Sequence, residues 1–119
     1  MNIEEFRNYC LSKKGVTEQL PFGPDALVFK VMGKMFALSA LERLPPQVNL
    51  KCDPERAISL REEHDGDIVP GYHMSKTHWN TLYLDHLSPK LIVELVDHSY
   101  DLVVAKLTQR AKRELDAID

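Results

Sequence analysis

Cysteine is scarce in this chain. Cys10 and Cys52 are the two present, and they lack the C-x-x-C spacing of a metal or redox motif. That scarcity argues against a disulfide scaffold and suits a reducing compartment, so a cytoplasmic setting is expected. Long apolar runs are missing as well. Nothing approaches the ~18 residues of a membrane span, and Met1-Asn2-Ile3-Glu4-Glu5 does not read as a signal peptide, so no membrane partner is expected. The five glycines never fall in G-x-G-x-x-G or Walker spacing, and no serine sits in a G-x-S-x-G elbow. A nucleotide-dependent enzyme or a serine hydrolase is therefore disfavoured. Charge of one sign is not in excess either. Fifteen basic against eighteen acidic side chains leave −3, so no global positive field marks a nucleic-acid binder.

What is there fits one globular domain over residues 1–119. Hydrophobic residues make up 44% and charged ones 28%, near the average of folded chains, which excludes disorder, collagen and coiled coil. Asn2 and Glu5 form a capping-box pair ahead of a helix whose apolar face is Ile3, Phe6 and Cys10, with Lys13 and Lys14 in its last turn. Pro21-Phe22-Gly23-Pro24 is a loop. Ala26–Met32 and Met35–Leu41 flank Gly33-Lys34 as a hairpin, and Gln47–Cys52 alternates polar and apolar as a third strand with one wet face. Asp53-Pro54 opens a second helix with Ala57, Ile58 and Leu60 as its stripe. Residues 65–78 read mostly as loop, with Ile68-Val69 as a short edge, before a strand over Trp79–Leu84. Ser88-Pro89 caps the longest helix, to about Lys106, with Ile92, Leu95, Val96, Ser99, Val103 and Leu107 inward. Thr108 caps a last helix with Ala111, Leu115 and Ile118 inward. The order predicts an α+β fold: a single two-layer domain, an antiparallel sheet with helices packed on one face.

The chemistry is thinly signalled. No pair among the five histidines and two cysteines has ligand spacing, so no metal and no cofactor is expected. Glu62, Glu63, Asp65 and Asp67 lack the alternating oxygens of a calcium loop and read as a solvated helix end. Cys52 precedes a helix N-terminus, which favours thiolate, but Asp53 opposes that shift and packing at a strand end accounts for it. The chain is therefore read as non-enzymatic. Pro70–Thr81 differs in kind, because it gathers Tyr72, His73, Lys76, His78 and Trp79 with no acid between Asp67 and Asp85. Lys76 suits a phosphate, and Tyr72 or Trp79 an exposed base. A bland account competes: Trp79 anchoring a strand while His and Asn side chains satisfy loop backbone.

Several stretches resemble the YjbR (MmcQ/YjbR-like) family of small bacterial proteins. They are Phe22-Gly23-Pro24, Gly33-Lys34-Met35-Phe36, Val48–Pro54, Pro70-Gly71-Tyr72-His73-Met74 and His78-Trp79. The resemblance implies a two-layer fold like that of frataxin-type proteins or secretion chaperones, and a DNA-binding role through an arrangement called a double wing. Two positions depart from the family pattern: His86 stands where glycine is usual, and Ser75 where asparagine is. The resulting expectation is a monomeric DNA-binding protein contacting nucleic acid through Lys34, Tyr72, His73, Lys76, His78 and Trp79. The alternative is an adaptor for another protein or peptide, of secretion-chaperone-like architecture, with no nucleic-acid role.

Overall fold

A computed structural model describes all 119 residues. Helix α1 (Ile3–Ser12) is followed by four strands, β1 (Val16–Gln19), β2 (Ala26–Val31), β3 (Lys34–Ala40) and β4 (Gln47–Lys51). Then come α2 (Pro54–Glu63), β5 (Ile68–Pro70), β6 (Trp79–Tyr83), a 3-10 turn over Leu84–His86, α3 (Pro89–Ala105) and α4 (Gln109–Asp116). The sheet is antiparallel throughout, in the order β1-β2-β3-β4-β6-β5. This is the two-layer α+β architecture that the element order predicts.

Side-chain caps explain where the helices begin. Asn2 and Glu5 close a capping box on α1, while Asp53, Ser88 and Thr108 each accept from the backbone N–H three residues on. All four helices contribute to one core on one face of the sheet. Phe6 and Cys10 of α1, Ala57 and Leu60 of α2, five α3 and post-α3 side chains and Leu115 of α4 meet Phe29, Val31, Phe36, Val48, Leu50 and Leu82. Each fully buried ring or branched side chain there contributes ~1.5–3 kcal/mol.

One sheet irregularity is built into that core. Phe29 pairs with Ala37 but Lys30 pairs with Met35, so Phe36 is an extra residue that bulges β3. Ser99 of α3 fills the resulting gap in the ladder. Its hydroxyl donates to the Phe36 carbonyl and accepts from the Lys51 N–H at 3.0 Å. A serine inside an apolar helix stripe thus serves the sheet rather than the helix.

The structure corrects several local expectations. β1 is a strand that residue pattern does not mark; Val16-Thr17-Glu18-Gln19 pairs along β2 at the sheet edge. The β2–β3 turn residues are Met32 and Gly33, both at positive φ (49° and 82°), because Val31 pairs with Lys34 and the twist of the strands selects a primed turn. α1 stops at Ser12, so Lys13 does not complement its last turn. Lys13 instead pairs with Asp97 of α3 at 2.6 Å and lies over the rings of Tyr9 and Tyr100. Ile58 and Ile118, placed inward by periodicity, are exposed. The Asp85-His86 turn, by contrast, takes no positive φ, as expected from the histidine that stands there in place of glycine.

Candidate nucleic-acid interface

The second face of the sheet carries no helix, yet its centre is buried. Gln47 and Asn49 on β4 and Thr81 on β6 lie on this open face, and all three are buried. A loop covers them. From Pro70 the chain folds back over the sheet and is held by a short polar ladder. The Thr81 hydroxyl donates to Asn49 Oδ1 at 2.6 Å and accepts from the Tyr72 N–H at 3.0 Å, while Asn49 Nδ2 donates to the Tyr72 carbonyl at 3.1 Å. Gly71 is needed for this approach. A Cβ at that position would stand 2.7 Å from the Trp79 Cβ and 3.0 Å from its carbonyl oxygen.

Between this loop and strands β2–β4 lies a cleft of about 590 Å³. Met35 and Leu38 give it an apolar floor, and Phe22 stands at its margin. One wall is made of flat groups: the Arg43 guanidinium lies 4.1 Å from the Tyr72 ring centre, and the Tyr72 and His73 rings are 4.0 Å apart. His73 reaches this position through a φ of 60°, a backbone conformation in the left-handed region. Asp25 and Glu42 also line the cleft.

Cations gather towards one end of the sheet. Lys30 pairs with Met35, which lines the cleft, and Lys51 projects opposite to the core residue Leu50. Register puts the Lys34 hairpin tip at the same end as Lys51 and Trp79, where the loop bearing Lys76 and His78 leaves the sheet. None of these four lysines makes an ion pair; the pairs in the chain engage Arg7, Lys13, Arg56, His86 and Arg110 instead. Arg61 braces the loop by donating to the Lys76 carbonyl and to Asn80 Oδ1.

The six residues singled out in the sequence therefore divide. Tyr72 and His73 line the cleft; Lys34, Lys76 and His78 are exposed outside it. Trp79, at 8% exposure, is placed as the strand anchor of the competing account. Tyr72, 47% exposed, is the aromatic that remains available. No local motif marks Arg43, Gln47 or Lys30, and β2, β4 and the β3–β4 loop bring them to one side only in the folded sheet. Cys52 is buried at the β4–α2 junction, and burial raises its pKa, so it packs as a thiol. Burial pushes Cys10 up to about 12. No group of three or more histidine, cysteine, aspartate or glutamate side chains converges on one point.

A family model described as YjbR matches residues 11–102. The chain belongs to the YjbR family. It is 36% identical to YjbR of Escherichia coli K12 over 116 residues, covering 97% of this chain and 98% of that one. It is 41% identical to YbdF of Escherichia coli O157:H7, covering 80% of this chain and 78% of that one. Among solved structures, Deinococcus radiodurans protein DR2400, described by the domain DUF419, superposes with a TM-score of 0.91 at 37% identity, over 97% of this chain and 88% of that one. A Pseudomonas syringae protein follows at a TM-score of 0.74 and 32% identity, over 86% and 98%. These names carry family and fold without an activity, so the function of this YjbR-family chain is argued from its open sheet face.

Proposed function

We propose that this protein is a non-enzymatic nucleic-acid-binding module that engages its ligand with the open face of the sheet. The observation that carries the reading is a set of unpaired lysines, Lys30 and Lys51 on the open face with Lys34 and Lys76 at the same end of the sheet, beside the exposed Tyr72. Lysines position a phosphate backbone, and an exposed ring adds a stacking surface. His73 and His78 add hydrogen-bonding groups beside them. With four phosphates neutralised, log K falls against log salt with a slope of about −4 on duplex DNA and about −3 on a single strand. Titration of labelled duplex and single-stranded oligonucleotides at several salt concentrations measures this slope. Absence of binding even at low salt overturns the reading.

A second reading has its own observation. Phe22, 70% exposed, and Leu44, 89% exposed, stand with Leu20 and Leu41 in two loops that Leu41 joins by donating its N–H to the Asp25 carbonyl. Such an apolar end suits a protein or peptide partner. Affinity purification with nuclease treatment separates the two, since a protein partner survives the nuclease.

A further inference from the structure

The cleft on the open face is lined by a largely buried residue whose amide no group of the chain engages. Gln47 is only 9% exposed and lines the cleft, yet its carboxamide bonds to no other group of the chain. Its neighbour on the same face shows the contrast: Asn49, two residues on, has both ends of its amide engaged, by Tyr72 and Thr81. The one side-chain polar atom buried without a partner in the chain is the Ser39 hydroxyl, so the Gln47 amide keeps its contact with the cleft and offers its donor and acceptor to solvent or a ligand.

The geometry points to a binding site for a single unpaired nucleobase in this cleft. A carboxamide presents a donor and an acceptor side by side, which matches the edge of a base that pairs with no other base. The floor of Met35 and Leu38 and the wall of Arg43, Tyr72 and His73 suit a flat ring with apolar faces. The volume, about 590 Å³, is of small-ligand size and holds one nucleotide rather than a duplex. Arg43 makes no ion pair, which leaves its charge for the attached phosphate. Asp25 and Glu42 face the same space; they accept from an exocyclic amino group and disfavour a ligand carrying several phosphates. The site lies on the sheet face between strands already paired on both sides, so no strand-addition mode competes for it.

This inference rests on the nucleic-acid reading for the source of the base, and its test separates the two. Three probes are titrated against the full chain by fluorescence anisotropy or calorimetry: a (dA)10 strand, an abasic strand with the same number of phosphates, and adenosine monophosphate. The (dA)10 strand is expected to bind at least about tenfold more tightly than the abasic one, in line with the stacking of one base on an aromatic wall. Gln47→Leu, which keeps the volume but removes the amide, should erase most of that difference and leave abasic binding unchanged. Should Gln47→Leu fold poorly in a thermal melt, Leu38→Trp fills the cleft from its floor and must give the same loss. Adenosine monophosphate competing with (dA)10 at similar concentration supports the base site and assigns its source to free nucleotide. Equal affinity for (dA)10 and the abasic strand overturns the base site while leaving the basic face intact. Failure of all three probes at low salt overturns both readings.

Discussion

The two faces of the sheet are buried by different means. Helices cover one face, and its contacts are nearly all apolar: Phe29, Phe36, Leu50 and Leu82 against Phe6, Ile92 and Val96. A loop covers the other, held by hydrogen bonds among Asn49, Thr81 and Tyr72. The first arrangement needs only apolar residues of about the right size at the right period. The second commits polar side chains to burial, which is tolerated only when each finds a partner. The helix side therefore carries stability, and the open side carries the groups proposed to face a ligand. Gln47, with its amide facing the cleft on the open side, is where the two roles part.

Removing a large ring from either side should have the greatest effect. Phe36→Ala on the helix side and Trp79→Ala on the open side should each cost ~3–5 kcal/mol in denaturant melts, since both rings are buried. A stable Trp79→Ala protein that loses nucleic-acid binding would return the tryptophan to a stacking role and break the distinction between the faces. Asn49→Ala should cost less, ~1–3 kcal/mol, by leaving Thr81 and the Tyr72 carbonyl without their partner. Amide exchange at Tyr72 should quicken in that variant while exchange in α3 stays slow.

The strand plan of the sheet was largely legible from residue order, and the physical reasons are specific. β2 and β3 are apolar on nearly every position because α3 packs on one face while Met35 and Leu38 on the other form the floor of the cleft. The caps Asn2, Asp53, Ser88 and Thr108 are local chemistry and need no tertiary information. β1 was not legible: four mostly polar residues become a strand only because β2 offers them an edge. The site was half legible. Tyr72 and His73 stand in a motif with an unusual mix of side chains, but Gln47 reads as one polar residue of an alternating strand. Its burial is created by a loop more than twenty residues further along the chain.

Smaller effects sharpen the comparison. Lys76→Ala should change stability by no more than ~0.5 kcal/mol, being an exposed loop substitution. On nucleic acid it should weaken binding uniformly across sequences and make the salt slope shallower by about one unit. The least effect is expected from His98 on α3, whose Nε2 accepts from the Asp53 N–H at 3.1 Å. Burial, and then the nearby Arg56 charge, hold its pKa below the usual histidine value. The unfolded chain thus binds this proton more readily than the folded one. The stability His98 contributes is complete above the ordinary value near 6.5 and is lost as pH falls through the depressed one. Thermal melts between pH 7.5 and 5 should show that decline, and His98→Gln should flatten it.

The most direct measurement is a two-dimensional NMR titration of the isotopically labelled protein with a (dA)10 strand at low salt. The account predicts shifts confined to the open face: the Gln47 side-chain amide, Tyr72 and His73 in the cleft, and Lys30, Lys51 and Lys76 at the basic end. Resonances of α1, α3 and α4 should stay in place. Shifts on the helical layer, or around Phe22 and Leu44 alone, would contradict it.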